Sequence, residues 1–153
     1  MSYTKSYYHI VFRTYRSERT IEENHERDLY MYVYATCKSN GIRLWRINSM
    51  PDHVHILVSI PPNIAVSYFV KNIKQTMGNY LKEHRKDFPM FNGWANGYCS
   101  ITYCDREREA VINYIKEQKT HHKRVSLADE MQTILRDAGI EIKEEYFLKD
   151  WVE

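Results

Sequence analysis

The sequence predicts an α+β fold, a ferredoxin-like, split-βαβ antiparallel sheet with two crossover helices on one face and an extra helix after the last strand. Three observations carry this. Four short segments rich in β-branched and aromatic residues are separated by two long stretches of helical periodicity, giving the order βαββαβ. The third segment, HVHILVSI, alternates so that Val54, Ile56, Val58 and Ile60 face one way, into a core, while His53 and His55 face the other. A further helical stretch, VINYIKEQ, follows the fourth segment.

Taken in order, Tyr8, Ile10 and Phe12 alternate with His9, Val11 and Arg13, which makes Tyr7 to Phe12 a half-buried strand. Leu29, Val33 and Cys37 recur every four residues and Asn40-Gly41 supplies a left-handed stop, predicting a first helix from about Ile21 to Ser39. Ile42 to Asn48 reads as a second strand, Ser49 to Asp52 as a turn, and His53 to Ile60 as a third strand ended by Pro61-Pro62. Asn63 is the expected cap of a second helix reaching about His84, with Phe69, Ile73, Met77, Tyr80 and Leu81 inward and Lys71, Lys74, Lys82 and Arg85 outward. FPMFNGWANG is turn-rich, Tyr98 to Tyr103 is the expected fourth strand, and Asp105 the expected cap of a third helix running to about Lys119. Beyond His121, Leu127, Met131, Ile134 and Leu135 mark a short amphipathic helix stopped by Gly139, then a tail.

The chain has 153 residues, enough for one domain with a sizeable core, here about 3–120 with a helix and tail over 121–153. It holds no run of about 18 apolar residues and no secretory leader pattern, so no membrane span is expected and the cytoplasm is the default compartment. Cys37, Cys99 and Cys104 form no CxxC, which argues against a disulfide framework or a cysteine zinc site. A net charge of +2 permits nucleic-acid binding without demanding it. Thirteen tyrosines, several interleaved with arginine near the start, suit either strand filling or base stacking.

His53 and His55 on one strand face are preset to grip a metal ion, although two ligands hold poorly and a third is needed. A split-βαβ sheet leaves one face open, and the histidines must lie there if the valines and isoleucines meet the crossover helices. The extra helix is the obvious cover. Tyr114 and Gln118 sit one turn apart on it, so Gln118 could offer its carbonyl oxygen to the ion and Tyr114 a nucleophile beside it. The bland alternatives are exposed sheet histidines and a half-buried helix tyrosine. A histidine-triad hydrolase would need a third alternating histidine where Leu57 stands, and no HExxH supports a zinc hydrolase. His121 and His122 could replace Gln118 as ligand or touch a substrate, and His9 shares its strand face with Val11 and Arg13.

The histidine-hydrophobe-histidine of His53-Val54-His55, followed by Tyr114 and Gln118, resembles the single-tyrosine HUH transposases of small insertion sequences, including their REP-associated relatives. The resemblance extends over YYHIVFRTYR, MPDHVHILVSIPP, GWANGYCSITY and VINYIKEQKTHHKRVSL. It implies that Tyr114 attacks a single-stranded DNA phosphodiester, leaving a 5′-phosphotyrosine and a free 3′-hydroxyl that later rejoins strands without ATP. It implies that His53, His55 and Gln118 hold Mg²⁺ or Mn²⁺, that hairpins at element ends are recognised, and that a homodimer forms whose active sites can be shared between subunits. Arg13, Arg16, Lys71, Lys74 and Lys82 are then candidate DNA-backbone contacts, although each taken singly reads more readily as solvated charge. A free phenol titrates near pH ~10, so about one in a thousand is ionised at neutral pH, and Lewis-acid help at the phosphate is required.

Overall fold

A computed structural model describes residues 1–153. Four strands, β1 (Tyr8–Arg13), β2 (Arg43–Met50), β3 (His53–Ser59) and β4 (Cys99–Thr102), form one sheet in the order β2-β3-β1-β4. Every neighbouring pair is antiparallel, which is the predicted ferredoxin-like arrangement. The crossover helices are α1 (Glu26–Ser39) and α2 (Val66–Glu83). After β4 come α3 (Arg108–Lys116), α4 (Gln118–His121), α5 (Leu127–Asp137) and α6 (Glu144–Phe147). No helix is long and apolar enough to cross a membrane.

Strand alternation divides the core. Ile10, Phe12, Val54, Ile56 and Val58 pack against Leu29, Val33 and Cys37 of α1 and Phe69, Ile73, Met77 and Leu81 of α2. The opposite face carries two smaller clusters. Tyr7 and Leu57 meet Val111 and Ile115 of α3, while Val11 and Cys99 meet Leu127, Met131, Phe147 and Trp151. The face left open by the six-element motif is therefore covered by α3 on one side and by α5 with the C-terminal segment on the other. The expected tail is folded: α6 and a final π-type turn, Leu148–Val152, bring Phe147 and Trp151 onto Val11.

Several boundaries move for local reasons. The first helix starts at Glu26 rather than Ile21, because Thr20 and Ile21 donate their amides to the Pro51 carbonyl and tie that stretch to the β2–β3 turn. The second helix starts at Val66. A Pro61–Ile64 turn, closed by Ile64 N–H to Pro61 O at 3.0 Å, leaves Asn63 exposed and gives the cap position to Ala65. Asp105 opens a 3-10 turn rather than capping the α-helix, and β4 is shorter than expected. The third helix is interrupted at Glu117 (φ −89°, ψ 13°), so Tyr114 lies on α3 and Gln118 opens α4.

Candidate active site

The β2–β3 turn is only Pro51-Asp52, so β3 begins at His53. Alternation then puts His53 and His55 on the α3 side of the sheet, 1% and 0% exposed. Both rings are tied at Nδ1. His53 meets Asp52 Oδ1 at 2.7 Å, and His55 meets Nε2 of His9 at 2.8 Å. His9 reaches His55 diagonally across β1 and β3, where Val11 is paired with His55 and His9 with Leu57. A proton on each Nδ1 leaves each Nε2 with its lone pair free, the way metal-binding imidazoles are oriented by their outer partners.

Across this face α3 places Tyr114, half-buried, with its ring centroid 5.9 Å from His9 and 6.0 Å from His55. The interruption at Glu117 turns the chain so that His122, just past α4, brings its Nε2 to 3.1 Å from Nε2 of His53. The group joining all of them is Glu130 of α5. Its Oε1 lies 2.8 Å from Nε2 of His122, 3.2 Å from that of His55 and 3.6 Å from that of His53. Its Oε2 accepts hydrogen bonds from the Tyr114 hydroxyl and, at 2.9 Å, from Gln118 Nε2. His121 adds Nε2 at 3.4 Å from the same oxygen.

The protonation states follow from this packing. Burial lowers His9 to about 3 and His55 to about 4, so both are neutral at pH 7, the form in which imidazole coordinates. Burial works to raise Glu130, but the close imidazoles of His122 and His55 outweigh it and hold the carboxyl well below its usual range. Asp52 is likewise held down by His53 against the opposing effect of burial. Burial first, then the charge of Glu130 and the hydrogen bond to it, raise the Tyr114 phenol far above its ordinary value.

The donor set fits a divalent ion. Ligands bound at about 2.1–2.2 Å to one ion stand about 3.0–3.5 Å apart. The ligand atoms of His53, His55, His122 and Glu130 all lie within 4.8 Å of one another, and Gln118 Oε1 is buried with no hydrogen-bond partner. A groove of about 840 Å³ opens onto this site, with Ser100, Tyr103, Ala110, Tyr114, Glu130 and Ile134 among its lining residues.

The predicted site residues His53, His55, Tyr114 and Gln118 meet within one chain, joined by His122 and by His9. Glu130 escaped sequence reading. Its signal was present: it stands three residues after Leu127 and four before Ile134, an acid on the apolar stripe of α5. The candidate DNA contacts do not gather there. Arg13 is corrected outright, being 4% exposed with Nη1 donating to Ser17 Oγ at 2.8 Å and Nη2 to the Lys149 carbonyl at 2.9 Å. It shares a strand face with His9 and Val11, and the C-terminal segment covers that face. Lys74 donates to the carbonyls of Ala95 and Gly97, bracing the loop before β4. Lys71 and Lys82 are exposed on α2, across the sheet from the histidines, and Arg16 is exposed in the turn after β1.

The sequence model of the family described as "Transposase IS200 like" matches residues 2–118. The ISDra2 transposase TnpA of Deinococcus radiodurans is 31% identical over 86 residues, which span 52% of this chain and 59% of that relative. The transposase for insertion sequence element IS200 of Salmonella typhimurium is 28% identical over 120 residues, spanning 76% of this chain and 78% of its own. Among solved structures, a crystal structure from Deinococcus radiodurans matches with TM-score 0.60 at 24% identity, covering 76% of this chain and 93% of that one. The REP-associated tyrosine transposase bound to a REP hairpin matches with TM-score 0.57 at 14% identity, covering 100% of this chain and 89% of the other. These two likenesses show the fold.

Proposed function

Because this chain belongs to the IS200-like transposase family, we propose that it cleaves and rejoins single-stranded DNA at hairpin-marked element ends through a covalent bond to Tyr114. One observation carries the reading: the Tyr114 phenol and the paired imidazoles of His53 and His55 converge on one carboxylate, inside one chain. On this reading the tyrosine, the histidine pair and the carboxylate of one site come from one protomer. The hairpin is proposed as the ligand because a structural neighbour was solved bound to one.

In the proposed reaction the Tyr114 oxygen attacks the scissile phosphorus, and its proton is already directed at Glu130 Oε2. The bond from phosphorus to the 3′-oxygen breaks, and that oxygen leaves as a 3′-hydroxyl after taking a proton. A 5′-phosphotyrosine remains. A second 3′-hydroxyl reverses the chemistry, restoring a phosphodiester and the free phenol, so one bond forms for each bond broken. His53 and His55 would hold Mg²⁺ or Mn²⁺, with Gln118 beside them, and the bound ion supplies Lewis-acid polarisation of the phosphate. An imidazole-rich set favours Mn²⁺ over Mg²⁺ in affinity.

The test is to incubate the protein with Mn²⁺ and hairpin oligonucleotides drawn from inverted repeats flanking its coding region. A denaturation-resistant protein–DNA adduct is expected with the wild type and none with Tyr114→Phe. An adduct that survives Tyr114→Phe removes the assigned nucleophile; rejoined strands as a second product separate transposition from simple nicking.

A further inference from the structure

We infer that the divalent-ion site of this chain is completed by His122 and Glu130, and that Glu130 links the ion, through Oε1, to the nucleophile Tyr114, through Oε2. The inference rests on the ion site proposed above and adds ligands that lie beyond His53 and His55. It also makes α5, a helix outside the βαββαβ motif, a structural part of the active site.

Glu130 is the one acid among the fully buried residues, 2% exposed. Its neighbours are four imidazoles, a phenol and an amide; no lysine or arginine pairs with it. Burying an ionised carboxylate costs several kcal/mol unless a cation compensates, and neutral hydrogen-bond donors compensate only in part. A divalent ion is the compensation this surrounding is shaped for. Three Nε2 atoms surround a single carboxylate oxygen at 2.8, 3.2 and 3.6 Å. Those are the edges of a coordination polyhedron with bonds of about 2.1 Å, slightly relaxed.

The sequence supplies this set from three places. β3 provides His53 and His55, the turn after α4 provides His122, and α5 delivers Glu130 on the same helix face that buries Leu127 and Met131. Docking that apolar face therefore inserts the carboxylate. Gln118, whose Nε2 donates to Glu130 Oε2, acts as a positioning residue for the carboxylate. A shared carboxylate means that the ion and the tyrosine are held in one register: with Oε1 on the ion, Oε2 fixes where the phenol hydroxyl sits.

The experiment uses Mn²⁺ alone and the full chain stripped of metal. Binding is followed by electron paramagnetic resonance for wild type, His53→Ala, His122→Gln and Glu130→Gln, with circular dichroism confirming that each is folded. All three variants are expected to bind about tenfold or more weakly than wild type. If His53→Ala weakens binding while His122→Gln and Glu130→Gln stay within about twofold of wild type, the added ligands are wrong and the histidine-pair site stands. If His53→Ala also binds like wild type, the ion site itself is wrong and both readings fall. Should Glu130→Gln fail to fold, pulsed spectra of the wild-type Mn²⁺ complex decide: three coupled imidazole nitrogens are expected, and two overturn the assignment of His122.

Discussion

His9 of β1 and His55 of β3 share a hydrogen bond of 2.8 Å across the sheet, with their rings stacked at 5.0 Å. Both are buried, and burial keeps both neutral at pH 7. The bond leaves only one of the facing nitrogens protonated, and with that proton on His55 its Nε2 is free to coordinate.

Removing the acceptor should loosen that ring. His9→Leu is expected to weaken Mn²⁺ binding by about tenfold, while His9→Gln, which retains an acceptor, recovers part of the loss. Calorimetric titration of Mn²⁺ into the three proteins checks this. Equal affinity in all three would show that His9 does not orient His55.

Stability without metal should fall on acidification. His9 and His55 have folded values lowered to about 3 and about 4, against an unfolded value near ~6.5. Between those values and ~6.5 the unfolded chain binds more protons than the folded one, so stability is full above ~6.5 and is lost as pH drops through that window. Glu130, also lowered, adds a loss in the same direction below ~4.5. A melting temperature at pH 5 lower than at pH 7.5 by about 5 °C is expected, and His9→Gln should flatten the slope. Thermal melts across pH read this directly; a flat profile from 7.5 to 5 contradicts it.

Tyr114→Phe carries a structural cost as well as a catalytic one. It removes the phenol donor from Glu130 Oε2 and leaves a buried carboxylate with Gln118 as the remaining close donor at that oxygen. A loss of about 1–2 kcal/mol in urea unfolding of the DNA-free protein is expected. An unchanged midpoint would mean the hydroxyl is solvated rather than held by Glu130.

Trp151→Ala should act at a distance through packing. Trp151 sits with Val11, Leu127, Met131 and Phe147, the cluster that seats α5 on the sheet. A cost of about 3 kcal/mol is expected from the cavity, with a fall in Mn²⁺ affinity because Glu130 rides on the same helix. Destabilisation with unaltered ion affinity would uncouple α5 from the site.

Legibility followed the range of the interactions. The alternation in HVHILVSI put Val54, Ile56 and Val58 in the core and the two histidines on the other face, because a strand's side-chain direction depends only on its own backbone. The Tyr114–Gln118 pairing was readable as a helix spacing, but the interruption at Glu117 was not, since no glycine or proline marks it. Arg13 looked like a surface charge from its residue type. The Lys149 carbonyl, 136 positions away, and the Ser17 hydroxyl hold its guanidinium, and the first of these contacts is written in no local pattern.

By itself the sequence determined the order of strands and helices, the face of β3 that bears His53 and His55, and the tyrosine that follows on a later helix. Each of these is written in a local period of two or about four residues. Only the tertiary structure decided that Glu130 of α5 stands between that tyrosine and those histidines, and that the C-terminal segment closes the sheet's second face. The reason is physical: an amphipathic pattern says which side of a helix is buried, whereas the surface it is buried against is fixed by how the whole chain packs.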